Sequence, residues 1–119
     1  MIEGYKDLEV YRKSYKLSLE MHQSTQNFPS FEKYELGSQI RRSAVSIALN
    51  IVEGYGRKDS AAEFKHFLRN ALGSCNEVRV LLEMVRDLGY VEANIFEHLN
   101  REYEIFGKQI YRLKQAWTK

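Results

Sequence analysis

Placed on a helical wheel at roughly 100° per residue, the segment from Leu36 to Glu53 carries its apolar residues on two adjoining stripes. Leu36, Ile40, Ala44, Ile47 and Ile51 make the first stripe, and Val45, Ala48, Leu49 and Val52 make the second. Gln39, Arg42, Ser43, Ser46, Asn50 and Glu53 are left as one narrow polar strip. A helix on the surface of a small monomer needs a single apolar face. A second face predicts contact with something beyond the helix's own bundle, and therefore an assembly.

Three further stretches show helical periodicity. The first runs from about Leu8 to Asn27, with Val10, Ser14, Leu17, Met21 and Phe28 facing inward, Tyr11 and Tyr15 flanking them, and Asp7 as its N-cap. Phe28-Pro29-Ser30 stops it, because a residue before proline avoids the helical region. The segment with two stripes starts between Phe31 and Tyr34 and stops at Gly54, read as a C-terminal glycine. The second of the three opens with the capping box Ser60-Ala61-Ala62-Glu63 and ends at Leu88-Gly89. Its core face is Phe64, Phe67, Leu68, Ala71, Cys75, Val78, Leu82 and Val85. The last runs from about Glu92 to Trp117, with Ile95, Leu99, Tyr103, Phe106, Ile110 and Leu113 at alternating three- and four-residue steps. Short connections between helices 8–27, 33–54, 61–88 and 92–117 favour antiparallel neighbours. The expected fold is all-α, a single domain over residues 1–119 forming an up-down-up-down four-helix bundle. No strand, internal repeat or low-complexity tract is expected.

The motifs QIRRSAVSI, NIVEGYGRKD and EFKHFLRNALGSCNE carry a resemblance. The chain resembles the four-helix-bundle family encoded in intervening sequences of bacterial 23S ribosomal RNA genes, which also includes accessory proteins of diversity-generating retroelements. The similarity runs from about Leu8 to Val91, and the last helix is similar only in pattern. One departure is Ala48, where the family usually has proline; a proline there would remove a backbone donor and kink the helix. The resemblance implies a closed homo-oligomeric ring, with five subunits the implied number. For the retroelement branch it implies a reverse transcriptase as partner.

Composition narrows the class. The 119 residues suffice for one core, and 44% hydrophobic with 29% charged residues is a globular balance rather than a disordered one. The single Cys75 excludes an intramolecular disulfide framework. No stretch reads as a signal peptide or approaches a membrane span, so the cytoplasm is the expected compartment, with no membrane partner. The net charge of +2 is far from that of a strongly basic nucleic-acid module, and its distribution says more. Between Arg41 and Arg79 there are seven basic residues (Arg41, Arg42, Arg57, Lys58, Lys65, Arg69, Arg79) against four acids (Glu53, Asp59, Glu63, Glu77). From Ile105 onward Lys108, Arg112, Lys114 and Lys119 meet no acid at all.

Each candidate site has a plain structural alternative. The turn Gly54-Tyr55-Gly56-Arg57-Lys58 has the glycines and cations to cradle a phosphate, but lacks the phosphate-loop spacing and a preceding strand; its alternative is a helix–helix turn. Lys65 and Arg69 are like charges four apart, which slightly destabilises a helix and fits a polyanion, or an ordinary solvated face. Tyr55, Tyr90, Tyr111 and Trp117 could stack on bases, against a default of packing. Glu63-Phe64-Lys65-His66 has the Glu-x-x-His spacing of di-iron bundles, but no second copy exists, and His22 and His98 have no partner histidine, so no metal is expected. Cys75 reads as a small core residue and not a nucleophile.

The sequence thus supports a non-catalytic, cofactor-free accessory protein that binds RNA or DNA through a surface repeated around a homo-oligomer. Its phosphate contacts would be Arg57, Lys58, Lys65 and Arg69, with Arg12, Lys13 and Lys16 as a second basic face. The oligomer interface would be Arg41, Val45, Ala48, Leu49 and Val52 with Arg42, Asn50 and Glu53, the arginines meeting a carboxylate such as Glu53. The alternative is a protein–protein adaptor or structural oligomer with no nucleic-acid role.

Overall fold

The computed structural model describes residues 2–118; Lys119, one of the cations of the acid-free C-terminal stretch, lies outside them. Four long helices account for most of the chain: α1 (Glu9–Thr25), α2 (Leu36–Tyr55), α3 (Ala61–Asp87) and α4 (Ala93–Ala116). A 3-10 turn, Tyr5–Asp7, precedes α1, and a single helical turn, Ser30–Lys33, precedes α2. There is no strand among the described residues. Each helix packs on its neighbours in chain order, α4 closes back onto α1, and α1 and α3 sit diagonally. With the short connections 56–60 and 88–92, this is an antiparallel four-helix bundle. It is a rod of 46 × 22 × 22 Å, its long axis set by the 27 residues of α3, which rise about 40 Å at 1.5 Å each.

The first stripe of α2 is the one that enters the core: Ile40, Ala44, Ile47 and Ile51 are buried. They meet Phe64, Leu68, Ala71, Cys75, Val78, Leu81, Leu82 and Val85 of α3, with Phe67, expected in this set, only partly covered. From α4 come Phe96, Leu99, Tyr103, Phe106 and Ile110, with Ile95 and Leu113 at the margin. Trp117 stands edge-on to Phe64 at 4.6 Å between centroids, and Tyr55 does the same at 6.2 Å. These three rings close one end of the rod.

Helix ends differ from the sequence expectation in four places. Asp7 does not cap α1: its carboxylate accepts the N–H groups of Glu3 (2.8 Å) and Gly4 (3.2 Å) around the 3-10 turn, while buried Leu8 occupies the N-cap position. α1 therefore begins at Glu9, one residue later than the expected start at Leu8. The stretch 31–34 does not begin α2, because Ser30–Lys33 is a separate turn, braced by Arg41. The Arg41 guanidinium donates to Thr25 Oγ1 (2.8 Å) and to the Lys33 carbonyl (3.0 Å). Gly54 does not end α2. It is helical and buried, and a Cβ there would lie 2.8 Å from Phe67 Cβ and 2.9 Å from Phe64 Cδ1. Its role is close approach of α2 to α3, not termination. The capping box of α3 is half formed: Ser60 Oγ accepts the Glu63 N–H (3.2 Å), but the Glu63 carboxylate turns to Arg57 instead.

The end of α3 agrees with expectation. Gly89 has φ +78°, Tyr90 N–H donates to the Val85 carbonyl (2.9 Å) and Gly89 N–H to that of Arg86 (3.0 Å), a Schellman arrangement that a left-handed glycine allows. α2 runs unbroken through Ala48.

Gly54→Ala should therefore destabilise the bundle by about 1–3 kcal/mol, the usual scale of overpacking. Gly73→Ala, where nothing lies within 4 Å of the added methyl, should stabilise it by up to about 1 kcal/mol. Urea unfolding of the two variants beside the parent checks both signs.

Candidate functional site

The polar strip of α2 does not await a partner along its whole length. Ser43 Oγ donates to Glu77 Oε1 (2.9 Å), the Ser46 and Ser74 hydroxyls lie 2.9 Å apart, and Asn50 Nδ2 donates to the Ser46 carbonyl (2.9 Å) and hydroxyl (3.2 Å). The serine bonds cross to α3 of the same chain and fix the register of the two helices. They floor an open groove of about 1090 Å³ whose rims carry Arg42 and Arg69. Neither arginine has an ion-pair partner among the described residues.

The second stripe of α2 stays uncovered. Leu49 is 63% exposed, and Val45, Ala48 and Val52 are half-buried. A second groove of about 630 Å³, lined by His22, Ser38, Arg41, Leu49 and Glu53 among others, runs along its α1 side. The predicted interface thus divides. Its apolar members are exposed or half-buried, whereas Arg41 is already bound within the chain to Thr25 and Lys33. Within the same chain Glu53 holds Arg57.

Of the predicted phosphate contacts, Arg57 is the most engaged. Its Nη2 lies 2.9 Å and its Nε 3.2 Å from Glu53 Oε2, and its Nη1 lies 3.3 Å from Glu63 Oε1. Hydrogen bonds to Glu53 and then Glu63 hold this guanidinium above its ordinary pKa. The turn is no phosphate cradle: Gly56 has φ −64°, Gly54 is helical, and among the described residues only Gly89 has a positive φ. Lys58 sits over the Tyr55 ring at 4.8 Å, and Lys65 and Arg69 lie on α3 without a carboxylate partner among the described residues. The α1 set is spread out: Arg12 donates to the Lys6 carbonyl (3.0 Å), Lys13 pairs with Glu102 (3.4 Å), and Lys16 is exposed. Since α1 lies diagonal to α3, the fold does not bring these residues to Lys65 and Arg69.

Packing removes three of the four candidate stacking aromatics. Tyr55 is buried, Trp117 packs on Phe64, and the Tyr90 hydroxyl donates to Glu32 Oε2 at 2.9 Å, which raises its pKa. Tyr111 alone of the four remains widely open, 52% exposed. It lies in a groove between α3 and α4 with Arg79, Lys108 and Arg112, a grouping that sequence patterns did not assemble. The acid-free run after Ile105 was its visible half; the contribution of Arg79 depends on how α3 packs on α4.

No group of three His, Cys, Asp or Glu side chains among the described residues is placed to hold a metal ion. His98 Nε2 lies 3.0 Å from Glu20 Oε1, and His22 Nδ1 lies 2.9 Å from the Ser18 carbonyl. No described helix is long and apolar enough to cross a membrane.

This architecture has known counterparts. The family model of the 23S rRNA-intervening sequence protein matches residues 6–112, and the chain belongs to that family. The match reaches well into α4, beyond the Val91 limit drawn from sequence motifs. A crystal structure of a protein of unknown function from the S23 ribosomal protein family of Bacteroides thetaiotaomicron VPI-5482 is similar at 25% identity. It covers 90% of this chain and 99% of its own, with a TM-score of 0.78. No curated protein matches the chain.

Cys75 is buried, its Sγ 3.4 Å from the Tyr103 carbonyl. Burial pushes its pKa from 9.0 up to about 11, partly opposed by the charge of Arg79. The fold thus favours the neutral thiol. The stability this contributes is complete below pH 9 and is lost as pH rises through about 11. Unfolding midpoints measured between pH 8 and 11 should fall, and fall less steeply in Cys75→Ala.

Proposed function

We propose that the protein is a non-catalytic accessory protein that assembles with copies of itself through the outer face of α2 and binds RNA or DNA backbones through α3 and the turn before it. The single observation that supports the nucleic-acid reading best is the pairing pattern of the cations. Lys58, Lys65 and Arg69, with Arg42 across the groove, have no carboxylate within ion-pair distance among the described residues, although acids occur throughout the same region. Lys65 and Arg69 repel each other mildly along one helix, and a polyanion relieves that cost. Arg57 contributes less than the sequence suggested, since Glu53 and Glu63 already satisfy it.

Assembly supports the same reading. A closed ring, five-membered by the family resemblance, repeats a modest basic patch around one particle and converts weak contacts into multivalent ones. The uncovered Leu49 and its neighbours favour such self-contact. In the retroelement branch of the family the partner on such a particle would be a reverse transcriptase. A second reading, a protein–protein adaptor, draws on Val80 (56% exposed) and Met84 (45%), an apolar edge on α3.

Replacing Lys58, Lys65 and Arg69 together by Gln should weaken binding to a structured RNA. It should also reduce the slope of log K against log salt by about 0.7–0.9 for each phosphate no longer neutralised. Anisotropy titrations across a salt series read both quantities; an unchanged slope would remove these residues from the interface. Separately, Leu49→Asp should convert the oligomer into monomer in sedimentation velocity while leaving the helical circular dichroism intact.

A further inference from the structure

The groove between α3 and α4 has a chemistry that the Lys65–Arg69 face lacks. Its rims hold three cations, Arg79 from α3 and Lys108 and Arg112 from α4, against one carboxylate, Glu104. None of the three is ion-paired among the described residues; Arg79 uses only its Nε, on Asn100 Oδ1 at 3.4 Å. The groove, about 460 Å³, is also lined by partly covered Leu72 and buried Cys75, whose Sγ would lie 3.6 Å from a Cβ added at Gly107. Tyr111 stands in it with 52% of its surface free, and the Lys114 ammonium lies 5.4 Å from its ring centre. Lys108 and Arg112 are again like charges four apart, an arrangement unfavourable by itself.

Cations beside a half-exposed aromatic ring and apolar lining residues match a chain that alternates phosphates with planar bases, a base displacing the Lys114 ammonium from the ring. Unpaired bases can leave their strand and stack on a side-chain ring, whereas the bases of a duplex already stack on one another. An acidic peptide would use the cations but leave the ring and the apolar lining without a partner. We infer that the α3–α4 groove seats a single-stranded stretch of nucleic acid, with one base stacked on Tyr111 and flanking phosphates held by Arg79, Lys108 and Arg112. This inference rests on the nucleic-acid reading above and adds the form of the ligand and a second place where it sits.

The test is fluorescence anisotropy of the intact oligomer with labelled oligouridylate and with a duplex RNA of matched length. The wild-type protein should prefer the single strand. Tyr111→Ala should weaken oligouridylate binding about tenfold, the scale of removing one base–ring stack, and Tyr111→Phe should not. Duplex affinity should change little in either variant. Lys108→Gln with Arg112→Gln should lower the salt slope for the single strand by about 0.7 for each phosphate no longer neutralised. Tyr111 is exposed, so unchanged circular dichroism is expected and separates weakened binding from failed folding. Equal binding of single strand and duplex, or an unaltered affinity in Tyr111→Ala, overturns the groove while leaving the Lys58–Arg69 reading standing if its own variants still weaken binding. Binding of an oligoglutamate peptide at the groove in preference to oligouridylate overturns it as well. Absence of any RNA binding at low salt overturns both readings together.

Discussion

The close seam between α2 and α3 is the constraint from which the rest of this bundle follows. At Gly54 the two helices come so near that a single methyl group would collide with Phe64 and Phe67. Farther along, small hydroxyl side chains take over: Ser43 reaches Glu77, and Ser46 reaches Ser74. Apolar packing sets how near the helices lie, while directional hydrogen bonds set how they slide, because a shift of one residue would leave these partly buried polar groups without partners. With α2 held in that rotation, one apolar stripe must face inward and the other must face out.

That rotation has two consequences for chemistry. Outwardly, Leu49 and its neighbours become an exposed apolar surface, the observation on which the proposed self-association rests. Laterally, the seam sorts the cations. Arg41 is drawn inward to tie the turn Ser30–Lys33 to α1, and Arg57 is drawn between Glu53 and Glu63 across the α2–α3 turn. Arg42 and Arg69 are left on the rims of an open groove. A count of basic residues along the chain cannot make this distinction, since a guanidinium already bonded to two carboxylates offers little to a phosphate.

Helix existence was legible because its signals are local or periodic. The α3 terminus at Gly89 and the start at Ser60 follow from backbone conformations that neighbouring residues control. The core faces follow from spacing, with exceptions at Phe67 and Leu81 of α3 and at the ends of α4, where Phe96 is buried in place of Ile95 and Leu113 is only partly covered. The role of Gly54 was not legible, for a physical reason. A glycine near the end of a helical pattern carries the same sequence signal whether it relaxes the backbone or admits a neighbouring ring. Asp7 is ambiguous in the same way: its carboxylate serves whichever free N–H groups the chain turns toward it, here those of Glu3 and Gly4. The aromatics show the same limit, as Tyr55, Tyr90 and Trp117 differ from Tyr111 only in what packs beside them.

By itself, then, the sequence determined the helical class, the number of long helices, the apolar faces and the surplus apolar surface of α2. All of these depend on periodicity within one segment or on caps a few residues long. Only the tertiary structure decided which cations are free, which rings are exposed, and that Arg79 of α3 joins Lys108 and Arg112 of α4 at one groove. Those facts depend on distances between residues far apart in the chain, and such distances exist only once the helices have packed.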